Sequence, residues 1–285
     1  MKYLIAGRNG QLARAFIRRF EQSAIDFSAP DESHLDITDS TSVSGIVDSY
    51  KPDVIINCAA YNLVDRAEQE REKAFAVNAE GPANLASAAA KRNAFLVHFS
   101  SDYVFDGQKE NGLYTEYDAA NPLNEYGKSK LAGEGAVQKV GGRSLVFRLS
   151  WVFGEGKQNF IHKLMQWAKS NEYLKIACDE FSVPTYTDTV AGVTLKALDQ
   201  GITGLYHLTN SGFCSRYEWA QMVCRELGIN KFIRPVASTI FNLPAKRPGF
   251  SAMSNERLCR LLDIRIPSWE EGVRSFIHER KLLHE

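Results

Sequence analysis

The stretch Tyr3-Leu-Ile-Ala-Gly-Arg-Asn-Gly-Gln-Leu-Ala13 predicts a buried strand, a tight turn and the start of a helix. The four apolar residues at 3–6 are typical of a strand in a parallel sheet that is covered on both faces. Gly7 and Gly10 suit the turn, and apolar residues recur at helical spacing from Gln11 to Phe20. The order of strand, glycine turn and helix therefore begins a βα series.

The same rhythm continues through the first half of the chain. Apolar runs recur at 54–57, 95–99 and 144–149, and a further strand is predicted at 25–27. A helical pattern runs from Val64 to Ala90, and we expect an interruption at Gly81-Pro82, where the proline suits a new helix start. Strands that alternate with helices predict an α/β fold with a doubly wound parallel sheet of the Rossmann type.

The rhythm weakens after Trp151, which indicates a second region. The elements predicted there are helices at 159–170 and 217–228, a loop at 179–185, a helix ending near Leu198 and a strand at 204–209. We predict that residues 1–150 form a nucleotide-binding domain to which 186–210 return. Residues 151–185 and 211–285 are predicted to form a smaller, interleaved substrate-binding region.

Length and composition indicate a globular protein of one large or two interlocked domains. The chain has 285 residues, 44% hydrophobic and 24% charged, which excludes disordered and fibrous classes. Its formal net charge is zero, whereas nucleic-acid binders usually carry a basic excess. The five scattered cysteines favour a reducing compartment, and no histidine or cysteine spacing predicts a metal site. Because no apolar stretch approaches a membrane span, we expect a cytoplasmic protein.

The glycine turn lies where a dinucleotide pyrophosphate binds in this fold class, because backbone N–H groups and the helix dipole point there. Gly7 permits the sharp turn, Gly10 permits close approach of a phosphate, and Ala13 replaces a third glycine. A turn with two glycines and no ligand remains the alternative. Arg8 is available for a 2′-phosphate, and Asp31 comes too late after the strand at 25–27 to select NAD. We therefore predict NADPH as cofactor, with NADH tolerated.

Tyr126 and Lys130 are a candidate acid–base pair, since a four-residue separation places both on one face of a predicted helix. A phenol has an ordinary pKa of about 10, and a neighbouring ammonium lowers that pKa toward neutral pH. Ser101 follows the apolar run at 95–99, and the carboxyl end of a parallel strand faces the ligand crevice. An exposed Tyr–Lys pair, and serines at 100 and 101 that only cap a turn, are the alternatives. The chain order of glycine turn, serine and Tyr-x-x-x-Lys favours hydride transfer.

These residues resemble the extended short-chain dehydrogenase/reductases and, within them, the dTDP-4-dehydrorhamnose reductase family. The resemblance covers nearly the whole chain. The stretches that carry it are Gly7-Arg-Asn-Gly-Gln-Leu12, Leu35-Asp-Ile-Thr-Asp39, Pro52-Asp-Val-Ile-Ile-Asn-Cys-Ala-Ala-Tyr61, Val64-Asp-Arg-Ala-Glu68, Ser100-Ser-Asp-Tyr-Val-Phe-Asp-Gly107, Asn121-Pro-Leu-Asn-Glu-Tyr-Gly-Lys-Ser-Lys-Leu-Ala-Gly-Glu134, Phe147-Arg-Leu-Ser-Trp-Val-Phe-Gly154 and Lys246-Arg-Pro248.

The resemblance implies a role for each matching position. Tyr126 would be the proton donor, Lys130 its tuner and a ribose contact, and Ser101 the hydroxyl near the sugar C4 oxygen. Asp102 and Trp151 would touch the sugar. Arg247, with Lys246 beside it, would face the diphosphate of the substrate. With Gly7 of the turn, the other cofactor-binding positions would be Gly10, Gln11, Leu12, Asp36, Ile37, Ala60, Tyr61, Asn62 and Phe99, joined by Tyr126 and Lys130.

Three positions depart from the family pattern. Ser101 stands where threonine is commoner and keeps the hydroxyl. Asn62 replaces a common threonine and Ala13 a common glycine, both beside the cofactor, where they bear on cofactor preference. Some members are magnesium-bridged dimers, but the sequence offers no matching acidic cluster, so no metal is predicted.

The implied activity is NADP(H)-dependent reduction of the C4 ketone of a dTDP-4-keto-6-deoxy sugar. The expected reaction converts dTDP-4-dehydrorhamnose to dTDP-L-rhamnose for polysaccharide biosynthesis. Two alternatives stay open: another nucleotide-sugar 4-ketoreductase or epimerase, and a non-catalytic NADP-binding subunit resembling the β subunit of methionine adenosyltransferase. Retention of Tyr126, Lys130 and Ser101 argues against the second. We expect a monomer or homodimer that binds neither nucleic acid nor membranes.

Overall fold

A parallel sheet of six strands forms the centre of the molecule in the computed structural model, which describes residues 1–282. In spatial order, its strands are β10 (Gly204–His207), β5 (Ser144–Leu149), β4 (Phe95–Ser101), β3 (Val54–Asn57), β1 (Tyr3–Ala6) and β2 (Phe27–Ser28). The strand order reverses between β1 and β3. Open α/β sheets bind ligands at the carboxyl ends of the strands on either side of such a reversal.

Helices cover both faces of the sheet, and this confirms the predicted doubly wound α/β fold. One face carries α1 (Gln11–Gln22), α8 (Thr187–Asp199) and α10 (Glu256–Leu262); the other carries α2 (Ser40–Tyr50), α5 (Gly81–Arg92) and α6 (Glu125–Val140). Because both sides of a central strand are buried, its residues alternate between two cores. Phe95 and Val97 belong to the first core, and Leu96 belongs to the second.

A third core forms the smaller region around the buried indole of Trp219. Its elements are β6 (Val152–Phe153), α7 (Phe160–Ser170), β7 (Leu174–Ala177), β8 (Phe181–Ser182), β9 (Thr185–Tyr186), β11 (Cys214–Ser215), α9 (Arg216–Glu226), β12 (Ile233–Val236) and α11 (Trp269–Leu282). The division into domains stays a prediction, and residues 283–285 of its last range lie outside the described residues. Leu258 and Leu262 of α10 pack in the first core, so the chain returns to the sheet once more than we expected.

The segment after β3 differs from the sequence prediction. It forms α3 (Val64–Ala67) and α4 (Arg71–Phe75), then a π-helical turn (Ala76–Glu80) that leads directly into α5. An α-helix therefore starts at Gly81-Pro82, as predicted, although the chain is not broken before it. Pro82 lies in the first turn of α5, and helical backbone continues through Gly81 because the π-turn precedes it.

Other boundaries moved by a few residues. The strand predicted at 25–27 is β2 at Phe27–Ser28, and the loop predicted at 179–185 contains the short strands β8 and β9. The sequence patterns did not predict α2, α10 or α11. Within residues 1–282, no helix combines the length and apolarity that a bilayer crossing requires.

Candidate active site

The turn after β1 has the geometry that the glycine pattern predicts. Gly7 has a φ of +81°, and a Cβ there would lie 2.5 Å from the backbone nitrogen of Ala59 after β3. Gly10 is the N-cap of α1 and has no side chain to accept from the first N–H groups of the helix. The first turn of α1 also contains no acidic residue. These unsatisfied donors at the strand reversal fit the diphosphate of a dinucleotide.

The rim of this crevice after β3 is held by a buried amide. Asn78 Oδ1 accepts from the Tyr61 backbone N–H at 2.9 Å, and Asn78 Nδ2 donates to the Tyr61 carbonyl at 3.0 Å. The same Nδ2 donates to Ser129 Oγ at 2.9 Å, which joins the rim to α6. Asn78 therefore positions the predicted groove segment of Ala60, Tyr61 and Asn62. Sequence reasoning missed it, and its signal was an amide in an alanine-rich helical segment.

The predicted adenine contacts lie in the loop before α2. Asp36 Oδ1 accepts from the Thr38 backbone N–H and hydroxyl at 2.8 and 2.7 Å. Ile37 is buried against Gly81 at the start of α5, and its carbonyl accepts from Asn84. Asp36 remains exposed.

Ser101, Tyr126 and Lys130 are brought together, as the chain order predicted. Ser101 ends β4, and α6 carries the other two residues. Lys130 Nζ donates to the Phe99 carbonyl at 2.7 Å, which fixes α6 against β4 two residues before Ser101. The Tyr126 hydroxyl donates to Asn62 Oδ1 at 3.4 Å, and it lies close enough to Ser101 for that side chain to affect the pKa of the phenol. An exposed Tyr–Lys pair is thereby excluded, since 9% of Tyr126 and 2% of Lys130 is exposed.

Burial sets the protonation of this pair. Loss of water raises the pKa of Tyr126 above its usual range, and the neighbouring Ser101 hydroxyl opposes this effect. Burial lowers the pKa of Lys130 to about 8, with the nearby Glu134 carboxylate opposing. At neutral pH the phenol is therefore a neutral hydroxyl that can donate its proton, and the lysine is mostly an ammonium.

Asp102 lies between the two regions of the molecule and is 2% exposed. Its Oδ1 accepts from Ser101 at 3.1 Å. Its Oδ2 accepts from Ser150, Ser182 and Ser251 at 3.2, 2.9 and 2.6 Å. Burial raises the pKa of Asp102, and these four hydroxyls favour the carboxylate and oppose that rise. The Asp102 carboxylate thus fixes the position of the Ser101 hydroxyl. The contact of Asp102 with the sugar stays a prediction.

A cavity of about 900 Å³ opens beside Trp151 and Arg247, two of the four residues predicted to meet the substrate, whereas Ser101 and Asp102 do not line it. Arg247 donates from both terminal nitrogens to Asp65 of α3, at 3.0 and 2.8 Å. Asn124, the N-cap of α6, donates to the Lys246 carbonyl at 2.7 Å. The basic loop is therefore tied to both α3 and the helix that carries Tyr126.

Comparison with known proteins now decides the family. The family described as RmlD substrate binding domain matches residues 1–282. The dTDP-4-dehydrorhamnose reductase of Aggregatibacter actinomycetemcomitans is 36% identical, over 96% of this chain and 97% of its own length. The chain belongs to the dTDP-4-dehydrorhamnose reductase family. The resemblance read from the sequence is thus confirmed.

Solved structures of the dTDP-4-dehydrorhamnose reductase family are similar throughout. The protein of Clostridium acetobutylicum superposes with a TM-score of 0.95 at 36% identity and covers 100% of both chains. That of Bacillus anthracis, solved in complex with NADP, gives a TM-score of 0.93 at 34% identity over 98% of this chain and 99% of its own.

Membership in the dTDP-4-dehydrorhamnose reductase family does not itself assign the site residues. The structure places Ser101, Tyr126 and Lys130 in one buried group and puts Trp151 and Arg247 on one cavity. Their roles remain predictions. Three residues that support this arrangement had no predicted role: Asp65, Asn78 and Asn124.

Proposed function

We propose that this protein is a dTDP-4-dehydrorhamnose reductase that uses NADPH to reduce the C4 ketone of its substrate to dTDP-L-rhamnose. The observation that carries the proposal is the buried group of Ser101, Tyr126 and Lys130. The group lies in a chain 36% identical to a protein of that name. The NADP in the Bacillus anthracis structure supports the choice of cofactor, as does the unsatisfied helix N-terminus after Gly7.

Bound NADPH supplies the hydride to the sugar C4 carbon. Tyr126 holds the proton that the new alkoxide oxygen takes, because burial keeps its phenol protonated. Ser101 lies beside Tyr126 and orients that proton toward the ketone oxygen. Lys130 uses one of its three N–H donors on the Phe99 carbonyl, which leaves two for the ribose and the phenol side of the site. Its positive charge favours the phenolate that remains after proton transfer.

The remaining site assignments follow from the same proposal. Gly7, Gly10, Gln11 and Leu12 bind the pyrophosphate, and Asp36 and Ile37 lie beside the adenine. Ala60, Tyr61, Asn62 and Phe99 line the cofactor groove. The exposed Arg8 meets the 2′-phosphate, and NADH is tolerated.

On the substrate side, Trp151 and Asp102 contact the sugar, and Arg247 binds the diphosphate. The cavity beside Trp151 and Arg247 has room for a nucleotide sugar. We propose a cytoplasmic monomer or homodimer that has no nucleic-acid or membrane partner.

The test measures the loss of NADPH absorbance after dTDP-4-dehydrorhamnose is added, and it identifies the sugar of the product. Formation of dTDP-L-rhamnose with one NADPH oxidised per sugar supports the proposal. Tightly retained NAD without net NADPH oxidation would instead indicate an epimerase. Absence of turnover with any 4-keto sugar nucleotide, together with intact NADPH binding, would indicate a regulatory subunit.

A further inference from the structure

Trp151 has a backbone conformation that a bulky residue rarely adopts. Its φ is +39°, in the left-handed region, between β5 and β6. Such a conformation is strained and persists only where the surrounding contacts hold it. The turn directs the indole to the wall of the 900 Å³ cavity, where it is partly exposed. A contact with a neighbouring side chain must hold the ring there.

Arg216 supplies that contact. Its guanidinium carbon lies 3.6 Å from the centroid of the Trp151 ring system, which is stacking distance. Trp219 lies nearly parallel to Trp151, at 11° and with ring centroids 5.7 Å apart. Arg216 also lies 5.4 Å from the ring of Phe160. The cation therefore belongs to an aromatic cluster that spans α7, α9 and the strained turn.

The ion pairing of Arg216 is loose by comparison. Its closest carboxylate is Glu180, at 3.8 Å, whereas Arg247 makes two short hydrogen bonds to Asp65 in the same cavity. Arg216 is the first residue of α9, directly after the N-cap Ser215, so its backbone is fixed by a capping box. A cation at a helix N-terminus opposes the helix dipole. The stacking of Arg216 on the Trp151 indole explains why a cation stands at this helix N-terminus.

We propose that Arg216 is a positioning residue that holds the Trp151 indole in place for the sugar ring of the substrate. The proposal rests on the proposed function only for the identity of that sugar. The guanidinium covers part of the indole and fixes its orientation, so that the remaining ring surface can pack on a pyranose. Arg216 thereby contributes to binding the sugar and leaves the nucleotide affinity unaffected.

The first test measures binding of dTDP and of dTDP-L-rhamnose by calorimetry, in the wild type and in R216M, W151F and the double variant. A desolvated cation–π contact is worth enough to change affinity roughly tenfold. We expect R216M to weaken dTDP-L-rhamnose by that factor, to leave dTDP unchanged, and to add nothing to W151F. Equal weakening of both ligands would show that Arg216 binds the phosphates and would overturn the proposal, as would wild-type sugar affinity in R216M.

The kinetic counterpart separates positioning from chemistry. We expect R216M to raise KM for the sugar nucleotide with little change in kcat and in NADPH affinity. R216K keeps the charge without the planar group and is expected to recover only part of the loss. R257M removes another stacked arginine, which lies 4.7 Å from the Tyr206 ring and outside the cavity lining, and serves as the matched control. An identical KM change in R257M would contradict the proposal.

A second test needs no substrate. The difference in near-ultraviolet circular dichroism between wild type and W151F reports the fixed Trp151 ring. The corresponding difference between the spectra of R216M and the double variant should be much smaller. A difference as large as that between wild type and W151F would overturn the positioning role. If the wild type binds no dTDP sugar, the proposed function fails, while this spectrum still decides the role of Arg216.

Discussion

Gly127 lies so close to the Tyr103 carbonyl that an added Cβ would be 2.2 Å from that oxygen. This contact sets how closely α6 approaches the segment after β4, one residue from Tyr126. We expect Gly127→Ala to lower the free energy of unfolding by about 1–3 kcal/mol, because α6 must shift away. Urea denaturation measures the loss, and NADPH turnover should fall with it.

Gly135 on the same helix provides the matched control. It is exposed, and a Cβ there would meet nothing within 4 Å. Gly135→Ala should therefore raise the unfolding free energy by about 1 kcal/mol, through helix propensity alone. Similar destabilisation at both positions would contradict the close-approach argument.

Tyr126→Phe should reduce kcat by about a hundred- to ten-thousandfold, because general acid catalysis is lost. The phenol is buried beside Ser101, so its replacement removes only the hydroxyl. NADPH affinity, measured by fluorescence titration, should stay near the wild-type value. Full residual activity would remove Tyr126 from the mechanism.

Ser101→Ala and Ser101→Thr should behave differently. The alanine variant loses the hydroxyl that donates to Asp102 and lies beside Tyr126, and we expect kcat to fall about a hundredfold. The threonine variant keeps the hydroxyl and should retain most of the activity. Steady-state kinetics at saturating NADPH compare the two, and equal losses would show that the side-chain volume matters and the hydroxyl does not.

Lys130→Met should change stability in a pH-dependent way. In the folded state the pKa of Lys130 is about 8, below its ordinary value of 10.5. Below pH 8 both states hold the proton and the full cost of burying the ammonium is present. Between about pH 8 and 10.5 the unfolded state binds more protons, so this residue makes the wild type more stable as the pH rises.

The variant lacks that contribution. The difference in unfolding free energy, variant minus wild type, should thus favour the variant most near pH 7. It should decline by at most about 3 kcal/mol toward pH 10.5. Urea denaturation at a series of pH values measures this difference. Lys128→Met, at an exposed lysine of the same helix, should show no such trend. A pH-independent difference for Lys130→Met would contradict a buried, protonated lysine.

Local sequence patterns predicted β1, the turn at Gly7 and the placement of Tyr126 and Lys130 on one helix, because each depends on residues within a few positions of one another. The helix start at Gly81-Pro82 was predicted for the same reason, but the π-turn before it was not. Proline is compatible with the first turn of a helix, and only the preceding π-turn shows that the helical backbone continues. Asn78 was missed because its partners, Tyr61 and Ser129, are 17 and 51 residues away.

The sequence by itself determined the doubly wound sheet, the dinucleotide turn and the family, since apolar periodicity and motif spacing are local and additive. Only the tertiary structure decided that Asp102 collects four serine hydroxyls from separate segments, the farthest 149 positions away. It likewise decided that Arg216 covers Trp151 and that Arg247 pairs with Asp65. The physical reason is that a buried charge takes whichever partners the packed chain brings within reach, and these partners lie on elements that meet only once both regions have folded.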